Sequence, residues 1–151
     1  MRYLAIDLGA RRTGLAVGDD VTGMAWPLEV IQTASPEELL RRIGQAVESH
    51  GTDALVLGLP LNMDGTEGPA AAQARAFAQQ LHERFGLLVH LVDERLTSAA
   101  AQEQLARTGL THRQKRKRHD ALAAAAILRD FLAAGRQGGS PDPGDQEKSS
   151  P

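Results

Sequence analysis

The sequence predicts an α/β fold in which a mixed five-stranded sheet is flanked by helices, and three observations predict it. Short β-favouring apolar runs, bounded by glycines and charged residues, recur at residues 3–8, 14–18, 26–31, 53–58 and 87–92. Longer stretches with apolar residues at helical spacing lie between and after the later runs, so the order is strand, strand, strand, helix, strand, helix, strand, helix, helix. Leading strands joined by turns pair antiparallel, and strands separated by a helix pair parallel, which makes the sheet mixed with its first strand central. Finally, 151 residues of which 42% are hydrophobic can bury one good core but not two ordinary domains.

Each element has a local reason. Residues 3–8 are apolar up to Asp7, and a polar turn beginning Gly9-Ala10-Arg11-Arg12 leads into the second strand, Gly14-Leu15-Ala16-Val17-Gly18, as in a hairpin. Ser35-Pro36-Glu37-Glu38 combines an N-cap serine, a proline at the first helical position and a glutamate spaced for a capping box. Leu39, Leu40, Ile43 and Val47 then line one face of that helix and read as core. The buried-strand run at 53–58 is followed by a loop, residues 59–68, and by a helix opening at Pro69. There Ala70, Ala74, Phe77, Leu81 and Phe85 share a face, and Gly86 stops the helix. After the strand at 87–92, Thr97 caps a helix expected to reach about Thr108, residues 109–118 form a polar, basic stretch, and a last, alanine-rich helix runs from about Asp120 to Ala134. Residues 1–134 thus form the domain, with the sheet order of the ribonuclease H-like fold. Residues 135–151 lack large apolar side chains and read as a disordered tail.

Composition excludes several classes of function. With no cysteine, the chain has no disulfide, no thiolate metal site and no cysteine nucleophile. An acid and a glycine interrupt the N-terminus before a signal-peptide core could form, and no apolar run approaches membrane-spanning length, so a cytoplasmic protein without a membrane partner is expected. A formal charge of -2 gives no overall attraction to nucleic acid, and affinity for phosphate must come from a local patch.

Chemistry is suggested by three acids. Asp7 interrupts an apolar strand, where an ionised carboxylate needs compensation by a cation or by a turn that it caps. Asp93-Glu94-Arg95 follows a strand at the C-terminal edge of the sheet, where open α/β folds bind ligands, although such an acidic pair also suits the start of a helix. Spacing does not choose between Asp93 and Glu94. Asp120 begins the last helix and is equally well read as its N-cap. Together the three describe a hard, oxygen-ligand site suited to Mg2+ or Mn2+, able to activate water for phosphodiester hydrolysis. Beside Asp120, Arg113, Lys115, Arg116, Lys117 and Arg118 place five cations in six residues, enough to follow a nucleic-acid backbone. Arg95 would steady the scissile phosphate or pair with an acid. The loop before Pro69 offers backbone amides, a helix N-terminus, and the neutral groups of Asn62 and Thr66 to a phosphate. It has neither the lysine nor the spacing of a P-loop.

Four segments carry a resemblance: Ala5-Ile6-Asp7-Leu8-Gly9 with Gly14 to Gly18; Gly58-Leu59-Pro60-Leu61-Asn62-Met63-Asp64-Gly65-Thr66-Glu67; Asp93-Glu94-Arg95-Leu96-Thr97-Ser98; and Asp120-Ala121-Leu122-Ala123-Ala124. In order and spacing the chain resembles the bacterial YqgF family, also called RuvX, over about residues 3–134. The resemblance implies a ribonuclease H-like fold and a metal-dependent nuclease. Its substrate would be either the 5′ end of the small-subunit ribosomal RNA precursor, in a ribosomal precursor particle, or a Holliday junction. It also implies that the ligand acids are Asp7, Glu94 and Asp120. Before the last acid the family usually has lysine and an apolar residue, whereas Arg118 and His119 stand here, which keeps the charge and adds a group that can titrate. A symmetrical junction would call for a homodimer and RNA trimming would not. Two alternatives remain open at this point. One is a non-catalytic RNA-binding ribosome-assembly factor. The other is an ATP-binding domain of the actin or sugar-kinase type, for which the chain is short.

Overall fold

The computed structural model describes residues 1–94 and 112–136, with the side chains of 1–94 and 121–135. Strands β1 (Arg2–Asp7), β2 (Arg12–Asp19) and β3 (Ala25–Gln32) are followed by helix α1 (Pro36–Ser49), β4 (Ala54–Leu59), α2 (Pro69–Phe85), β5 (Val89–Asp93) and α3 (His112–Arg136). They build one five-stranded sheet in the order β3-β2-β1-β4-β5. β1 pairs antiparallel with β2 and parallel with β4, β2 pairs antiparallel with β3, and β4 pairs parallel with β5. The central place of β1 and the mixed pairing are those the sequence predicts. The helix expected at residues 97–108 lies outside the described residues, as does the tail from 137 on.

Strand alternation divides the core in two. Leu4 and Ile6 of β1, with Leu55, Leu57 and Leu59 of β4, face one way and pack against Leu39, Leu40 and Ile43 of α1 and Ala71, Ala74, Phe77 and Leu81 of α2. Tyr3, Ala5, Ala54 and Val56 face the other way, against Ala124, Ile127, Leu128 and Leu132 of α3. That second face of the sheet is made of small residues, Ala16 and Ala25 among them, and the helix over it is rich in alanine. The two surfaces therefore approach closely. A Cβ on Gly18 would stand 3.0 Å from Leu128 Cδ2 and one on Gly58 would stand 2.8 Å from Ile127 Cδ1. Every residue of β4 is buried, as its covering on both faces requires.

Three local expectations are corrected. Ser35 does cap α1, its Oγ accepting from the Glu38 N–H at 3.2 Å, but the reciprocal half of a capping box is not formed. The Glu38 carboxylate pairs instead with Arg41, and the Ser35 N–H donates to Thr33 Oγ1. On α2 the buried face begins at Ala71, with Ala70 exposed, because the alanine-rich first turns carry no apolar period to set the phase. α3 begins eight residues earlier than Asp120, at His112, and ends at Arg136. Its first turns contain no glycine or proline, and Arg, Lys and Gln are good helix formers despite the repulsion among them.

Candidate active site

The C-terminal edge of β1, β4 and β5 gathers the acidic candidates. Asp7 is the last residue of β1, half-buried and in register with Gly14 of β2. The alternation that turns Tyr3 and Ala5 towards α3 turns Asp7 the same way. On β5, Val89 and Leu91 face α1 and α2, and Asp93 continues that set; Val92 faces α3. Glu94 follows in the turn, its N–H donating to the Leu59 carbonyl at 3.2 Å. Its side chain lies over Gly58, where a Cβ would meet Glu94 Cδ at 3.0 Å and Glu94 Cγ at 3.1 Å. Asp7 and Glu94 thus share the α3 face at one edge, with the glycine of β4 between their strands. Strand parity separates Glu94 from Asp93 where sequence spacing does not.

Asp120 lies in the third turn of α3, so the reading of it as an N-cap lapses, and its side chain is outside the described residues. The course of the helix is set by its contacts. Ile127 packs at Gly58, near the C-terminal end of β4, and Phe131, one turn later, packs its ring on Tyr3 at 5.1 Å and on His90 at 4.8 Å, at the other end of the sheet. α3 therefore runs antiparallel to β1. The backbone of Asp120, two turns or about 10 Å before Ile127, is carried towards the edge that holds Asp7 and Glu94. Arg113, Lys115, Arg116, Lys117 and Arg118 belong to the first turns of the same helix, with side chains outside the described residues. Arg95 also lies outside them. Among the described residues no three His, Asp or Glu side chains converge as a metal site.

Two neighbouring loops complete the edge. Between β1 and β2 the turn is tight enough at Gly9 that a Cβ would stand 2.2 Å from the Arg12 carbonyl oxygen, so only glycine fits there. That turn brings the exposed Arg11 and the half-buried Arg12 to the edge just past Asp7, two cations that sequence reasoning treated as turn residues only. After β4, Asn62 and Thr66 are engaged with each other: Asn62 Nδ2 donates to Thr66 Oγ1 at 2.9 Å and the Asn62 N–H donates to the Thr66 carbonyl at 2.9 Å. These bonds hold the loop. A fork from Arg75 of α2 to the Glu67 carboxylate, 2.7 Å at both oxygens, ties the loop to the helix behind it. These bonds hold the Glu67 carboxyl below its ordinary pKa and raise that of the Arg75 guanidinium. α2 opens on Gly68 without a side-chain cap.

On the other face of the sheet a cleft of about 490 Å³ opens between the first turns of α1 and α2, with Leu8, Gly9 and Pro60 at its floor. It is lined mainly by alanine, proline and apolar side chains, with no acid. No described helix is long and apolar enough to cross a membrane.

Comparison with known proteins agrees with this architecture. The family model described as "RuvX: Holliday junction resolvase" matches residues 1–134. The "Putative pre-16S rRNA nuclease" of Anaeromyxobacter sp. (strain Fw109-5) is 46% identical over 132 residues, which cover 87% of this chain and 96% of the relative. A relative of the same name from Bordetella parapertussis is 46% identical over 129 residues, 85% of this chain and 91% of its own. Among solved structures, T. thermophilus RuvC in complex with Holliday junction substrate superposes with a TM-score of 0.60 at 19% identity, covering 94% of this chain and 99% of that one. The Fowlpox virus resolvase with Holliday junction DNA gives 0.57 at 10% identity, covering 89% and 98%. At such identities the two structures speak for the fold alone.

Proposed function

This chain belongs to the RuvX family, and on that premise we propose that it is a divalent-metal-dependent nuclease that hydrolyses phosphodiester bonds in the precursor of small-subunit ribosomal RNA. The observation that carries the reading is the placement of Asp7, at the end of β1, and Glu94, just past the end of β5, on one face of one sheet edge. Asp120, on a helix directed at that edge, is the third acid of the proposal. An all-carboxylate donor set is hard and anionic, which fits Mg2+ or Mn2+ and leaves coordination positions for water and substrate phosphate. When bound, such a cation supplies activation of the attacking water and neutralises charge on the leaving oxygen.

The chain's own residues do the rest. Asp7 and Glu94 would supply carboxylate oxygens to the cation from the two sides of β4. Arg95, Arg113, Lys115, Arg116, Lys117 and Arg118, joined by Arg11 and Arg12 from the β1–β2 turn, supply the positive charge that brings a phosphate backbone to an edge otherwise lined with acids. Without them the acids would repel the substrate, since even with these cations counted the net charge of the molecule is -2. The rRNA precursor is favoured as substrate because the relatives 46% identical carry that name over nearly their whole length. Junction resolution is the second reading, supported by the description of the family model.

Cleavage of a labelled precursor-rRNA fragment and of a four-way DNA junction, with Mg2+ or Mn2+, by wild type and by Asp7→Asn tests both. Cation-dependent cutting that falls by on the order of a thousandfold in the variant is expected, with the RNA as the preferred substrate. RNA binding by both proteins with no cutting by either would sink the nuclease reading in favour of a ribosome-assembly factor.

A further inference from the structure

The side chain of Met63 is 98% exposed, the most exposed of the large apolar side chains among the described residues. It does not sit in a slack loop. Gly65 N–H donates to the Asn62 carbonyl at 2.9 Å, closing a β-turn with Met63 at its first corner, and Gly65 follows at φ 89°, a conformation open to glycine. The Asn62 N–H to Thr66 carbonyl bond closes the loop below the turn. Asp64 Oδ1 accepts from both the Thr66 N–H, at 3.0 Å, and Thr66 Oγ1, at 2.6 Å, which turns its charge into the loop. The Asn62 amide is turned back too, onto Thr66 Oγ1 and against Gly68, where a Cβ would meet it at 3.2 Å. What the loop leaves at its tip is therefore a polarisable thioether on a backbone already ordered.

The loop leaves β4 at the same sheet edge as Asp7 and Glu94, between their two strands. Surfaces at this edge are charged and suited to phosphate and cation. The apolar surface that a nucleic acid has to offer is the face of its bases, and in a duplex those faces are already stacked. We propose that Met63 is a positioning residue that packs its thioether against the face of an unpaired nucleobase next to the scissile phosphate, selecting unpaired or branched strands over continuous duplex. This rests on the nucleic-acid reading of the edge. Sulfur packs well on aromatic rings, and an apolar wedge inserts where unstacking costs least. Because the turn is bonded in place, little backbone freedom is lost when it engages.

The test uses Met63→Ala and Met63→Leu in the full chain, with thermal unfolding to verify that both keep the wild-type fold. Single-stranded RNA and DNA oligonucleotides carrying 2-aminopurine at successive positions read stacking directly, without any need for cutting. Wild type is expected to change the fluorescence at one position relative to its neighbours. Met63→Ala should lose that signature and bind single strands about tenfold more weakly while binding continuous duplex as wild type does; Met63→Leu should restore both. Equal affinity of wild type and Met63→Ala for single strands, or an equal loss on duplex, would overturn the proposal. Cleavage assays on the same proteins keep the two readings apart. A wild type that stacks a base but never cuts removes the nuclease and leaves the wedge, whereas one that cuts as well without Met63 removes the wedge and leaves the nuclease.

Discussion

Gly58 stands where side chains from two different elements meet over the sheet. A methyl group there would lie 2.8 Å from Ile127 Cδ1 of α3, which is fully buried, and 3.0 Å from Glu94 Cδ, so making room for it displaces core or the Glu94 carboxylate. Gly58→Ala is therefore expected to lower stability by about 1–3 kcal/mol, read from denaturant unfolding, and to move the Glu94 carboxylate enough to impair cation-dependent cleavage. Wild-type activity in a stably folded Gly58→Ala protein would mean that the position of Glu94 over Gly58 does not matter to cleavage. At this scale the sequence is legible in part. A carboxylate in an apolar strand singles out Asp7 as a candidate, and parity along β5, which needs the register, sets Glu94 on the same face as Asp7. Nothing in the chain reveals that the Asn62 side chain bonds Thr66, because a partner four residues away across a turn looks the same in sequence as two groups facing solvent.

The elements show why some boundaries can be read and others cannot. β1 and β4 are contiguous apolar runs between polar ones, so their burial and their strand character come from the same residues. The start of α3 has no such mark. A run of like charges suggests a solvated loop, and the helix begins inside it because no residue there breaks one. For α1 the cap is single-sided. Ser35→Ala is expected to cost about 1 kcal/mol in urea unfolding, and Glu38→Gln clearly less than that, since Glu38 does not reach back to the cap. A loss from Glu38→Gln as large as that from Ser35→Ala would restore the capping box. The fork from Arg75 to Glu67 predicts a pH effect with a definite sign. Its bonds hold the folded Glu67 carboxyl below the unfolded value, so the stabilisation is present above the ordinary carboxylate range and is lost as pH falls through the lowered folded value. In an NMR titration Glu67 should ionise at lower pH than an unpaired glutamate, and Arg75→Gln should remove the difference. A Glu67 that titrates identically in both proteins would show that the fork does not persist in solution.

For the molecule as a whole, charge must be arranged rather than accumulated. Seventeen Lys and Arg stand against nineteen Asp and Glu, so at long range this chain repels a polyanion slightly. On the proposed reading, binding depends on where the cations are, and two segments distant in sequence would supply them: the β1–β2 turn with Arg11 and Arg12, and the first turns of α3, which runs antiparallel to β1 with those turns towards the same edge. Each phosphate contact releases condensed counterions, so the logarithm of affinity should fall linearly with the logarithm of salt concentration, with a slope that counts contacts. Replacing Lys115 and Lys117 together by Gln is expected to make that slope shallower by about 1–2, nearly equally for RNA and DNA, because a phosphate contact carries no sequence information. A double variant with the wild-type slope would mean that the first turns of α3 do not meet the backbone. The same titration on Arg11→Gln weighs the turn separately. If it also lowers the slope while leaving unfolding unchanged, the substrate crosses the edge from the β1–β2 turn to α3, over Asp7 and Glu94. A single path across the candidate acids is the arrangement that an edge-centred nuclease requires and that a binding module with its contacts elsewhere would lack.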